Sequence, residues 1–357
     1  MPCVLMMDRA MPETALPGPA RKAERAARSD APLYAALDLG TNNCRLLIAR
    51  RAHGGFRIVE AFSRIVRLGE GLSQTGQLSP QAMDRAVAAL GICAERIRRR
   101  QVSRVRAVAT QACRGAGNGA EFLARVERET GLVLSIIAPS EEARLAVVGC
   151  TDLIDSQFQA AIILDVGGGS TEVSWVRPRG GTDRQPAEML AWHSIPIGVV
   201  TLAERFPEPP TPDLAWYEAM VGAIQERLQA FDGADAHRPA FADNRAQLIG
   251  TSGAVTSLAS LHLGLTRYER ARVDGLRMTS GECRAVANRL LELDRAGRAG
   301  HACIGPDRAD LVLAGAAILE AVQRAWPCEH LRVADRGLRE GLLLSLMRRR
   351  RSRRRRR

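Results

Sequence analysis

The sequence predicts an α/β protein built from two similar halves, and three observations carry that prediction. Short apolar runs that end at glycine alternate with longer segments of helical period, the pattern of strands connected by helices. A strand ending in aspartate, a turn of glycine and small polar residues, and a strand leading away occur twice. They are Asp38-Leu39-Gly40-Thr41-Asn42-Asn43 and Asp165-Val166-Gly167-Gly168-Gly169-Ser170. The length of 357 residues suits two domains that each bury a core of their own.

In the first half, Leu33 to Leu39 is apolar and stops at Gly40, which predicts a buried strand. Cys44 to Arg51 and Phe56 to Phe62 follow as strands joined by a turn at Gly54 and Gly55. Ser79 and Pro80 start a helix to about Arg100, since proline suits a first turn. Val105 to Thr110 is the next strand, Asn118 is expected to cap a helix to Glu129, and Leu132 to Ile137 to form another strand. Ser140 is expected to open a helix with Glu141 and Glu142 in its first turn, where the helix dipole favours carboxylates.

From Ala160 the pattern restarts. Ala161 to Val166, Thr171 to Val176 and Met189 to Ile195 read as strands, and Pro196-Ile197-Gly198 leads into a helix. After the proline-rich break from Pro207 to Pro212 a helix runs to about Ala230, and Phe231 to Asn244 reads as a polar loop. Gln247 to Thr251 is a strand that enters the turn Gly250-Thr251-Ser252-Gly253 and then a helix. Pro306 to Trp326 predicts a long apolar helix, Leu331 to Ala334 a strand, and Gly337 to Met347 a final helix. The expected organisation is a disordered extension over 1–31, a first domain over 32–155 with the helix 337–347 as its candidate completion, a second domain over 156–336, and an arginine-rich tail over 348–357.

The formal charge of +12 resembles a nucleic-acid signature until it is located. Nine arginines lie between Arg348 and Arg357, and without them the charge falls to +3. The tail would attract RNA or another polyanion, or would be solvated without a dedicated partner. No apolar run approaches the roughly 18 residues of a membrane span, and the first thirty residues lack the apolar stretch of a secretion signal. Eight cysteines without a C-x-x-C pair read as buried free thiols, which fits a reducing cytoplasm. The six histidines lack zinc spacing.

Lys22 is the only lysine. That excludes a Walker-type phosphate loop and Schiff-base chemistry in the body of the chain. A phosphate must then be held by backbone N–H groups, hydroxyls, arginine and metal. The turn glycines Gly40, Gly167, Gly168 and Gly169 allow close backbone approach, while Thr41, Asn42, Ser170 and Thr171 add polar groups. Asp38 and Asp165 repel phosphate, so they read as Mg²⁺ ligands, direct or through water; turn capping is the alternative.

With these motifs in order, the chain resembles the exopolyphosphatase/guanosine pentaphosphate phosphohydrolase family. Further markers are Arg45, Ala109 to Arg114, Glu141-Glu142-Ala143-Arg144, Asp165 to Glu172, Pro196-Ile197-Gly198, Gly250 to Gly253, and Asp335 to Gly341. The resemblance implies two ribonuclease H-like domains of the actin-like ATPase kind with a cleft between them. It also implies a Mg²⁺-dependent hydrolase acting on polyphosphate or guanosine pentaphosphate, and a homodimer. Glu142 would be the general base on water, Glu172 and Asp165 would hold metal or water, and Arg114 would contact phosphate. Arg45 and the turn Gly250, Thr251, Ser252 and Gly253 would join the phosphate grip.

The departures are Asn43 where serine is usual, Arg336 where an aromatic residue is common, and an end shortly after the closing motif. The chain is therefore similar to the short, two-domain members, for which processive action on long polyphosphate is not implied. Two other readings remain: an ATP-dependent small-molecule kinase of the same superfamily, and a non-catalytic alarmone or polyphosphate sensor.

Overall fold

Eleven strands over the described residues form two sheets with the same core order. The computed structural model describes residues 31–178, 187–231 and 238–354. The predicted N-terminal extension, apart from Ala31, and the last three arginines of the tail lie outside the described residues. The first sheet holds β1 (Leu33–Leu39), β2 (Asn43–Ala52), β3 (Gly55–Ile65), β4 (Arg104–Ala109) and β5 (Ser135–Ile136), in the order β3-β2-β1-β4-β5. The second holds β6 (Ala160–Val166), β7 (Thr171–Arg177), β8 (Glu188–Ile195), β9 (Ala246–Thr251), β10 (Arg277–Met278) and β11 (Leu331–Ala334), in the order β10-β11-β9-β6-β7-β8.

In both sheets an antiparallel meander of three strands continues into parallel strands added beside the first one. Only the short edge strand β10 has no counterpart. This is the ribonuclease H-like order expected of the two halves. The match extends to irregularities, because the β2–β3 register shifts between Ile48 and Ala49, and the β7–β8 register at the equivalent pair, Trp175 and Val176.

Burial explains the central strands. β1 and β6 are covered on both faces, so their apolar runs are continuous rather than alternating. One face of the first sheet packs on the helices Pro80–Arg99 and Gly119–Thr130. Its other face receives Leu145 from the helix Pro139–Cys150 and Leu338, Leu342, Leu343 and Leu346 from the helix Leu338–Arg354. Val147 and Cys150 pack instead with Ala161, Ile163 and Ile249 of the second sheet. The helix Pro139–Cys150 is thus a shared wall between the two sheets.

Several boundaries differ from expectation. β5 is two residues long, because Leu132 and Leu134 are buried without joining the ladder. Asn118 stands at its helix start but does not cap it; its amide pairs with Leu78, accepting at 2.9 Å and donating at 3.0 Å. The helix with Glu142 begins at Pro139 rather than Ser140. The apolar helix is Val312–Ala325, preceded by turns from Pro306, and the last helix continues to Arg354, into the arginine run. The helices Arg270–Val273, Ser280–Glu292 and Arg295–Gly300 are additions to the sequence reading. No described helix is long and apolar enough to cross a membrane.

Candidate active site

The two Asp-Gly turns are one hairpin used twice. Asp38 stands opposite Arg45 in the β1–β2 ladder, and Asp165 opposite Glu172 in the β6–β7 ladder. Gly40 N–H donates to the Asn43 carbonyl, and Gly167 N–H to that of Ser170, both at 2.9 Å. The turns touch each other. A Cβ on Gly168 would lie 3.0 Å from Thr41 Cβ, and one on Gly169 would lie 2.7 Å from Thr41 Oγ1. Glycine is required there by close approach.

The backs of the turns are tied off. The Asn42 carbonyl accepts from Val66 and Arg67 at 2.8 and 3.1 Å, and the Gly167 and Gly168 carbonyls accept from Val199 and Val200 at 3.0 and 2.8 Å. A Cβ on Gly198 would collide with Gly167 and Gly168, which explains the Pro196-Ile197-Gly198 motif. Among the described residues, the N–H groups of Thr41, Asn42, Gly168 and Gly169 have no protein partner. Four donors on two abutting turns are a ready anion seat.

Both turns line one cavity of about 600 Å³. It collects Asp38, Gly40, Thr41, Asn42, Arg45, Glu142, Asp165, Gly167, Gly168, Gly169, Ser170, Glu172, Thr251, Ser252 and Gly253. Three further sequence candidates do not line it. Arg114 borders the adjoining cavity, which shares Gln111 and Ser170 with the first. The Thr171 hydroxyl donates to the Ile197 carbonyl at 2.7 Å, and Gly250 is packed beneath the turn against Val255. Ser252 is held at a left-handed φ of 87°, its hydroxyl donating to the Val166 carbonyl.

Four carboxylates share this space. Glu142, 8% exposed, is met by Arg114, whose Nη1 lies 3.3 Å from its Oε2 and also donates to the Ile137 carbonyl at 2.7 Å. Burial pushes the Glu142 carboxyl well above its ordinary value, Glu172 and Asp165 add to that, and Arg114 opposes it. Glu172 accepts from the Ser194 hydroxyl at 2.8 Å; burial and then Asp165 raise it to about 7. Asp165 is raised to about 6 by burial and then Asp38. Asp38 is raised by burial, against Arg45 and Arg339. A cluster of buried acids that repel one another favours either protons or a cation.

The donors fit Mg²⁺. They are all oxygens, and buried Oδ1 atoms of Asp38, Asn42 and Asn43 lack a hydrogen-bond partner. Among the described residues no group of three or more acidic, histidine or cysteine side chains is placed to hold a metal ion by itself. A bound cation would therefore keep waters and take phosphate oxygens, which is how Mg²⁺ is commonly held.

Residues without a sequence-level role complete the walls. Arg308, Tyr268 and Arg339 line the cavity. The closing motif now has physical content. Arg270 pairs with Asp335 at 3.3 Å, Arg336 with Asp274, and the Glu340 carboxylate accepts from the Gly337 N–H at 2.8 Å. Cβ atoms on Gly149 and Gly341 would fall on the carbonyls of Gly337 and Leu145. These glycines let the last helix cross closely over the helix that carries Glu142.

A family model described as the Ppx/GppA phosphatase family matches residues 47–350. The chain is 32% identical over 325 residues to exopolyphosphatase 2 of Mycobacterium tuberculosis, covering 87% of this chain and 98% of that protein. It superposes on a crystal structure of an exopolyphosphatase-like protein with a TM-score of 0.79 at 30% identity, over 89% of this chain and 99% of the other. For the Aquifex aeolicus member of the Ppx/GppA family the TM-score is 0.72 at 29% identity, over 88% of this chain and 97% of the other.

Proposed function

Since this chain belongs to the Ppx/GppA phosphatase family, we propose that it hydrolyses the terminal phosphoanhydride of inorganic polyphosphate or guanosine pentaphosphate, with Glu142 as the general base. The observation that carries the reading is one buried carboxylate, held by Arg114, in the cavity that also presents the two abutting glycine turns.

The terminal phosphate is received by the free N–H groups of the two turns, whose rigidity leaves little to reorganise during reaction. Glu142 orients a water and takes its proton as the water oxygen bonds to phosphorus. The bond from phosphorus to the bridging oxygen breaks on the far side, and the chain departs one phosphate shorter, keeping that oxygen. Arg114 fixes the Glu142 carboxylate and offsets the proton affinity that burial creates. Asp38, Asp165 and Glu172 would hold Mg²⁺, which supplies neutralisation of phosphate charge.

Phosphate release measured side by side on polyphosphate and guanosine pentaphosphate with Mg²⁺ tests the reading. Release from at least one is expected; release from neither would overturn it.

A further inference from the structure

The segment from Val66 to Gly76, between β3 and the helix Pro80–Arg99, is rooted in the first half of the fold and reaches into the second. Val66, Leu68 and Leu72 are buried in the core that the first sheet shares with that helix. The backbone of the segment lies directly under the first glycine turn. Val66 and Arg67 donate to the Asn42 carbonyl, and Gly69 N–H donates to the Thr41 carbonyl at 2.9 Å. A Cβ on Gly69 would fall on Thr41 Cγ2, so this approach needs glycine.

Among the described residues the segment crosses to the other half at two places. The Arg67 guanidinium holds Asp310 through both terminal nitrogens, at 3.1 and 3.2 Å, and donates to the Asp307 carbonyl at 3.2 Å. Gly71 N–H donates to Glu204 Oε1 at 2.8 Å, and the Ser73 hydroxyl donates to Glu204 Oε2. Both targets sit on parts of the second half that build the cavity. Asp310 immediately precedes Leu311 and Val312, which line it. Glu204 lies on the helix Val199–Arg205, whose Val199 and Val200 N–H groups hold the carbonyls of the second turn. Arg67 itself adopts a left-handed φ of 45°, which a residue with a Cβ rarely takes unless its surroundings hold it. Here Asn42 holds its backbone and Asp310 its side chain, and a bidentate pair is the strong form of a partly exposed ion pair. Arg67, Asp310 and Glu204 do not line the cavity between the turns, so they act on it only through other residues.

We propose that the segment Val66 to Gly76 is a clasp that registers the two glycine turns against each other, with Arg67, Asp310 and Glu204 as positioning residues. The inference rests on the abutting turns being the phosphate seat. Their unpartnered N–H groups come two from each turn, so they converge on one phosphate only while the halves are closed. Releasing either crossing lets the turns separate, and the seat is then complete for only a fraction of the time. A bound phosphate draws the turns together again. The clasp thus sets the apparent affinity through the closed fraction and leaves the chemistry at saturation unchanged.

The test uses the full chain with Mg²⁺ and reads both phosphate release and equilibrium binding of orthophosphate. Asp310→Ala and Glu204→Ala each weaken one crossing without touching the first turn. For each, KM is expected to rise about tenfold with kcat within about threefold, and the orthophosphate Kd should rise by the same factor as KM, as a tenfold smaller closed fraction requires. Arg67→Gly, chosen because glycine accepts the left-handed φ, should add nothing further to Asp310→Ala, since the two changes remove one pair. Glu70→Ala is the control: it removes an ion pair of the same segment, to Arg85 at 2.8 Å, that stays within the first half. It should leave KM and Kd at the parental values. Circular dichroism checks that each variant is folded at the assay temperature. Unchanged KM and Kd in Asp310→Ala and Glu204→Ala, a loss confined to kcat, an equal effect of Glu70→Ala, or failure of the parent to bind orthophosphate would each overturn the proposal. Orthophosphate binding that depends on the clasp, in a chain that releases phosphate from neither substrate, would remove the hydrolase reading and leave the clasp.

Discussion

Arg45 and Glu172 occupy equivalent places in the two hairpins, each directly across the ladder from its turn aspartate, Asp38 and Asp165. One structural unit used twice therefore delivers a cation to one end of the cavity and an anion to the other. Replacing Glu172 with Gln keeps the shape and removes one of the anions that would hold a cation. The Mg²⁺ concentration for half-maximal phosphate release is expected to rise at least about tenfold, on the scale of a lost charged contact. An unchanged Mg²⁺ titration would remove Glu172 from the cation seat.

The same acids make the fold sensitive to pH. Burial holds Glu172 near 7 and Asp165 near 6, above the 4.5 and 3.8 of free side chains. A carboxyl with a raised folded pKa contributes stability that is complete below its unfolded value and is lost as pH rises through the folded one. Without divalent cation, Tm should therefore fall from about pH 4 to about pH 7, and saturating Mg²⁺ should flatten the fall by replacing the protons. Thermal melts at several pH values, with and without Mg²⁺, read this directly. Parallel declines in the two series would contradict it.

Gly341 and Gly91 offer a contrast between a required glycine and a dispensable one. A Cβ on Gly341 would fall on the Leu145 carbonyl, whereas one on Gly91 meets nothing within 4 Å. Gly341→Ala should destabilise by roughly 1–3 kcal/mol through overpacking, and should slow phosphate release by displacing the helix of Glu142. Gly91→Ala, inside the helix Pro80–Arg99, should stabilise by roughly 0.5–1 kcal/mol without altering release. Urea unfolding and a release assay on both variants check the pair.

Arg114 separates orientation from binding. Its guanidinium joins the Ile137 carbonyl to the Glu142 carboxylate. Arg114→Ala should lower kcat by about tenfold or more with a smaller change in KM, since the group acts on the nucleophile's side. A rise in KM with kcat intact would instead place Arg114 on the substrate's phosphates.

Much of this was legible because the signals were local. Apolar strands stopping at Gly40 and Gly167 located both turns, and the repeat of aspartate before glycine linked them. The shared position of Arg45 and Glu172 was also readable, since both stand at the same distance after their aspartates. Other parts depended on tertiary contact. Arg308 and Arg339 are single arginines in an arginine-rich chain, and only the sheet order brings them to the cavity. Thr171 looked like another donor, but the turn of Ile197 takes its hydroxyl. Leu132 to Ile137 had the composition of a strand, yet only Ser135 and Ile136 pair with β4, with the Ile137 N–H closing the ladder on the Ala109 carbonyl at 3.1 Å. The helix Ser280–Glu292 did carry a signature, a capping box between Thr279 and Glu282.

The most direct test of the account is the turnover of Glu142→Gln on polyphosphate, with binding of the same substrate measured in parallel. Loss of the general base should lower kcat by at least about 100-fold, while Kd stays within about threefold. A variant that binds normally and still releases phosphate at near the parental rate would contradict the assignment of Glu142.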